Sequence, residues 1–196
     1  MANEIIEFKE SYMDLEGYAL KVLIIMAVYA ENGFAYRGTL KELCEVLGVS
    51  THSKNIKSIK DAIEVLAKKH LVFSFIDGST WTITLSELAE EKSAQIRKSW
   101  VLLMKDAKNG VSWEKMLKVF VYVMTANQEI YRTKTIANEL NMSTDCVKRA
   151  VNALTRIDFE GIDFDKHINW KTNGDFFYRD GYKLEVGYNF TNREEA

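Results

Sequence analysis

Thr144, Lys148, Arg149 and Asn152 fall on one helical face of the stretch TIANELNMSTDCVKRAVNAL (135–154). An ammonium and a guanidinium neutralise phosphates, and Arg and Asn also offer paired hydrogen bonds to base edges. Lys54, Asn55, Lys57, Ser58 and Lys60 form a second set of the same character in the first half of the chain. Further along, Lys171, Arg179 and Lys183 are placed to touch a nucleic-acid backbone or minor groove. The chemistry these residues support is non-covalent binding. His52, His70 and His167 are scattered, with no HExxH spacing, phosphate loop or GxSxG elbow among them. Asp158, Glu160, Asp163 and Asp165 lack the Gly and distal Glu of a calcium-binding loop. No enzyme, cofactor or metal is expected.

These residues need helices to hold them, and the helices come as a pattern written twice. LKVLIIMAVYA begins at Leu20 and LKVFVYVMTA at Leu117. Each is followed by a turn and a second helix, TLKELCEVLGVS in the first copy and RTKTIANELNMS in the second. Leu43 with Leu47, and Ile136 with Leu140, lie four apart on a buried face. Cys44 and Ala137 are small enough for a close helix crossing. Gly48 and Asn141 sit where the chain must turn left-handed. Val49 and Met142 fill the corner, and Ser50 and Ser143 are expected to cap the next helix. That third helix buries Ile56, Ile59, Ile63 and Leu66 in one copy and Val147, Ala150, Val151 and Leu154 in the other. The first copy carries about five more residues before this stripe, so its turn is expected to be longer.

A hairpin follows each third helix. LVFSFIDGSTWTITL (71–85) has β-rich runs around Asp77-Gly78. The second copy continues into a longer aromatic segment, with strands expected around Phe176 to Tyr178 and Lys183 to Tyr188. Its aromatics, with Trp170, Tyr182 and Phe190, alternate as sheet core does, although exposed they would suit single-strand stacking. Between the copies, Glu87 to Asp106 reads as a connecting helix with Ile96, Trp100 and Leu103 as its apolar stripe.

Composition bounds the rest. The chain has 196 residues, no proline and a formal charge of −2. Turns must be made by Gly, Asn, Asp and Ser. The longest apolar run, Val22 to Tyr29, falls well short of the roughly 20 residues a membrane span needs. The acidic N-terminus lacks the basic region of a secretion signal, so a cytoplasmic location is expected. Cys44 and Cys146 are too few for a disulfide framework. Charge is uneven along the chain: between Ser50 and Val72 five lysines face Asp61 and Glu64, and between Arg132 and Arg156 five basic residues face Glu139 and Asp145.

On these motifs the chain resembles the winged-helix superfamily twice over, from about Met13 to Phe190. The resemblance implies a mainly α fold with small β wings: a first winged-helix domain over 1–86, a connecting helix over 87–108 and a second winged-helix domain over 109–196. Tandem winged helices of this size are similar to plasmid replication initiators and bacterial transcription regulators. Such a protein would bind double-stranded DNA with its third helices in successive major grooves, as a homodimer through the first copy. Condensin accessory subunits share the architecture and use it for protein contacts, so a protein-interaction module is the alternative. The acidic run after Leu154 favours that second reading.

Overall fold

The computed structural model describes residues 5–30, 35–86, 92–107, 110–125, 130–159, 168–171 and 176–179. It is mainly helical with small antiparallel sheets. The chain divides into two compact units, one of residues 1–6 and 15–91, the other of residues 7–14 and 92–196.

In the first unit α1 (Gly17–Tyr29) is buried on nearly every side, as its apolar run from Val22 to Val28 dictates. β2 (Ala35–Thr39) runs directly into α2 (Leu40–Leu47), and α3 (Ser53–Lys68) packs on both α1 and α2. β3 (Val72–Asp77) and β4 (Thr80–Leu85) form the expected hairpin around Asp77-Gly78, with Gly78 at φ +59°. β2 pairs with β4, giving the order β2-β4-β3. The sequence does not announce this third strand, because the run AYRGT is too short and too polar to show an alternation.

The second unit repeats the order. α5 (Trp113–Thr125) is almost wholly buried, and β6 (Ile130–Arg132), α6 (Thr133–Glu139) and α7 (Thr144–Leu154) follow. β7 (Ile168–Lys171) and β8 (Phe176–Arg179) complete a sheet in the order β6-β8-β7. The strand expected over Lys183 to Tyr188 lies outside the described residues. Two tyrosines in matching strands anchor the two copies: Tyr36 of β2 and Tyr131 of β6 are both buried, and the Tyr131 hydroxyl donates to the Val123 carbonyl at 3.0 Å.

The expected connecting helix is corrected. Residues Ser93–Arg97 within it form a strand, β5, which pairs with β1 (Ile5–Lys9), and residues 87–91 lie outside the described residues. Ala94 and Ile96 are buried while Gln95 and Arg97 are exposed, the period of two that marks a strand. Among the described residues of that stretch only Lys98–Asp106 is helical (α4), and its buried face is Trp100, Val101 and Met104. Leu103 lies outside that face and is exposed. Trp100 stacks edge-on against Phe120 and Phe159, which make the aromatic centre of this unit.

The helix ends share one device. Gly48 has φ +71°, Asn141 +52° and His70 +56°, all left-handed. The amide after each reaches back five residues, Val49 to Cys44 at 2.9 Å, Met142 to Ala137 at 2.8 Å and Leu71 to Leu66 at 2.9 Å. This closes the otherwise unpaired carbonyls of α2, α6 and α3. A Cβ built on Gly48 meets nothing within 4 Å, so only backbone strain opposes a side chain there. Gly48→Ala is expected to lower stability by about 1 kcal/mol, whereas His70→Gly raises it by about 0.5 kcal/mol, read as opposite shifts of the urea midpoint.

α2 opens with a capping box. The Thr39 amide donates to Glu42 Oε2 at 2.6 Å and the Glu42 amide to Thr39 Oγ1 at 3.2 Å. The bond from the Thr39 backbone, then that from its side chain, holds the Glu42 carboxyl below its ordinary 4.5. A depressed folded pKa means the contribution is fully present above 4.5 and fades as pH falls through the lower folded value. Acid titration of stability should therefore be shallower in Glu42→Gln than in the wild type, with the two curves a constant distance apart above pH 4.5 and converging as pH falls below it.

Candidate nucleic-acid interface

α7 is presented by the corner at Asn141. The Ser143 hydroxyl accepts the Cys146 amide at 3.2 Å, capping the helix as its position in the motif suggests. Cys146, Val147, Ala150, Val151 and Leu154 face inward, where α7 packs on α5 and α6. Thr144, Asp145, Arg149 and Asn152 are exposed on the opposite side, and Lys148 is half-buried between the two faces. The four sequence-predicted residues of α7 are thus brought together on one helix. Arg149 Nε donates to Asp145 Oδ2 at 3.0 Å one turn earlier, and both side chains are largely in solvent. The pair has the favourable acid-before-base order. An exposed pair of this kind is worth only about 0.3–0.5 kcal/mol.

α3 differs from its counterpart in an informative way. From Gly48 to the first residue of α3 is five positions, and from Asn141 to the first residue of α7 is three. From Ser53 to the buried Ile59 is six, and from Thr144 to the buried Val147 is three. Of the five extra residues, two therefore lengthen the turn and three add most of a helical turn. About 3.6 residues make a full turn, so Ile59, Ala62, Ile63 and Leu66 still face the core. The expectation of a longer turn is met only in part.

This longer turn is held by Asn55. Its Nδ2 donates to the Ser50 carbonyl at 2.9 Å and to Ser50 Oγ at 3.0 Å, while its Oδ1 accepts from the Tyr18 hydroxyl at 3.2 Å. Two corrections follow. Ser50 does not cap α3, whose N-cap is His52 without a side-chain bond. Asn55 is occupied within the fold and is a positioning residue for α3. Lys54, Lys57 and Lys60 are exposed along α3, Ser58 is half-buried, and Ile56 is half-buried at the edge of the apolar stripe.

Arg37 of β2 and Arg132 of β6 are both exposed and each follows one of the matching buried tyrosines. The same Tyr-Arg pair thus stands in both copies, Tyr36-Arg37 and Tyr131-Arg132. Burial, then the carboxylates of Glu42 and Glu45, pushes the Tyr36 hydroxyl up to about 12, so it stays neutral. Gly38 leaves room for it: a Cβ there would meet the Tyr36 hydroxyl at 2.7 Å and Glu42 Oε2 at 3.1 Å.

In the second sheet Lys171 lies opposite Phe176 and Arg179 opposite Ile168, so the two basic residues stand at opposite ends of the β7–β8 ladder. Lys183, Glu160, Asp163 and Asp165 lie outside the described residues, and Asp158 is exposed. Among the described residues no group of three or more His, Cys, Asp or Glu could hold a metal ion. No described helix is long and apolar enough to cross a membrane. No model of a known protein family, no curated protein and no solved structure matches the chain.

Asn55→Ala removes both bonds to Ser50 and the acceptor of Tyr18. It should cost about 1–2 kcal/mol in urea unfolding. Lys57→Ala on the same helix, solvated and without a packing role, should change stability by less than about 0.5 kcal/mol.

Proposed function

We propose that each unit is a winged helix and that the protein is a sequence-specific binder of duplex DNA. The reading makes it a cytoplasmic replication initiator or transcription regulator with no catalytic step, each third helix entering a major groove. The observation that carries this is the outward face of α7. It places Thr144, Arg149 and Asn152 in solvent beside Lys148, on a helix whose other face is fixed by the core. Arg149 and Asn152 supply base-edge hydrogen bonds, and Lys148 a phosphate contact. On α3, Lys54, Lys57 and Lys60 supply phosphate contacts. Lys171 and Arg179, from the second sheet, touch the backbone beside the helix.

A protein-interaction module is the second reading, and one observation favours it. Arg149 is already paired with Asp145, on a chain whose formal charge is −2. The two readings separate in one titration. Fluorescence anisotropy against fragmented genomic DNA at two salt concentrations should show binding that weakens steeply with salt. Lys57→Ala should lower the slope of log K against log salt by about 0.9. Asp145→Ala should tighten binding by releasing Arg149, and Lys148→Glu with Arg149→Glu should abolish it. Absence of salt-sensitive binding at micromolar protein would sink the DNA reading. Retention of a stoichiometric protein partner by the double variant would establish the other.

A further inference from the structure

Three large apolar side chains stand in solvent on a single strand. Phe73, Phe75 and Ile76 of β3 are 64%, 68% and 51% exposed, the highest values among the described large hydrophobics. β3 is the outer strand of its sheet. The Ser86 amide donates to the Leu71 carbonyl at 3.0 Å, which fixes the parity of the ladder. Residues 71, 73, 75 and 77 bond to β4, so the N–H and C=O groups of Val72, Ser74 and Ile76 point away from it. Among the described residues nothing pairs with this edge.

The register also decides what kind of partner fits. Ser74 lies across Ile83, which with Tyr36 forms the buried face of the sheet, so Ile76 belongs to that side. Phe73 and Phe75 belong to the other side, across Thr84 and Thr82. A ligand lying flat on one face would cover the two Phe rings and leave Ile76 and the open backbone untouched. A strand added at the edge engages all of them.

We propose that this strand is β3 of a second copy of the chain, paired antiparallel about a two-fold axis through Ser74. In that register Phe73 faces Phe75 of the other copy in a close, non-hydrogen-bonded pair, and Val72 faces Ile76 on the opposite side. Both are favourable cross-strand combinations. Charge selects the same orientation. Lys68, Lys69 and His70 precede β3 and Asp77 ends it. Antiparallel pairing sets each acidic end beside the other copy's basic flank, whereas a parallel pairing would set like against like. Exposed strand edges invite such pairing unless they are blocked by charge, proline or a bulge, and β3 has none of these before Asp77. The three side chains bring about 700 Å² of apolar surface from two copies, below the roughly 1,200 Å² of a standard stable interface. The dimer is therefore reversible, with a dissociation constant in the micromolar range. It does not rest on the DNA reading.

Sedimentation equilibrium of the full chain should show a monomer–dimer equilibrium between about 1 and 100 µM. Ser74→Pro removes an amide that points out of the sheet, a place where proline is tolerated, and should leave a folded monomer. Phe73→Lys with Phe75→Lys should do the same. Ser74→Cys should cross-link on mild oxidation, since opposed Cα atoms about 5.5 Å apart suit a disulfide. Thr82→Cys on the central strand should not, and the native Cys44 and Cys146 are buried. A wild type that stays monomeric, a dimer that survives both the proline and the double lysine variants, or a Ser74→Cys protein that does not cross-link would each overturn the proposal.

Discussion

The left-handed corner at the end of the second helix is the constraint on which each unit depends. One residue at positive φ, followed by an amide that reaches back five residues, turns the chain sharply enough for the third helix to cross the second. Gly48 meets this need without a side chain and Asn141 with a short polar one. The buried stripes of α3 and α7 then fall against α1 and α5. Once those stripes are fixed, the opposite faces of α3 and α7 are committed to solvent. The exposure of Lys57 and Arg149 is thus a consequence of where the apolar residues lie, whatever the lysines and arginines do.

The five extra residues of the first copy show how a helix absorbs an insertion. A single added residue within α3 would rotate the stripe by about 100°. Splitting the five between turn and helix keeps Ile59 and Leu66 inward, and Asn55 supplies the hydrogen bonds that the longer turn would otherwise lack. The same accommodation spends one of the residues whose type suggested ligand binding. An amide side chain satisfies either a backbone or a base edge, and here its donors and acceptor are taken by Ser50 and Tyr18.

Much of the fold is legible in the sequence because strong local signals agree. The repeat, the αL residue at Gly48 and Asn141, the Ser143 cap and the Asp77-Gly78 hairpin all follow from residue type and spacing. What was missed lacks such signals. β6 is three residues long and shows no period. β5 alternates, but Ile96 and Trp100 are also four apart, and the helical spacing masked the strand. The exposure of Phe73 and Phe75 is invisible to composition, because β-rich aromatic runs are as common in cores as at edges; it is decided by which strand stands outermost. The placement of the candidate residues was legible for α7, where Thr144, Arg149 and Asn152 lie on the outer face and Lys148 at its edge. It was less so for α3, where Asn55 turned inward to its turn.

On the DNA-binding reading proposed above, net charge and local charge act at different ranges. At physiological salt, exposed charges farther apart than about 8 Å are largely screened. Acids of the first unit beyond that range therefore weigh little on Lys54, Lys57 and Lys60, whereas the exposed Asp61 and Glu64 lie one turn along the same helix from Lys57 and Lys60. Asp145 is different, since it lies in contact with Arg149. Yet an exposed pair is stabilised by only about 0.3–0.5 kcal/mol, less than the 1–3 kcal/mol of discrimination from a good bidentate base contact. Exchange of Asp145 for a base edge is then favourable where the base is right and close to neutral where it is wrong. In a DNA-binding protein of the kind proposed, the carboxylate beside Arg149 would sharpen discrimination between sites and weaken indiscriminate attraction to phosphate.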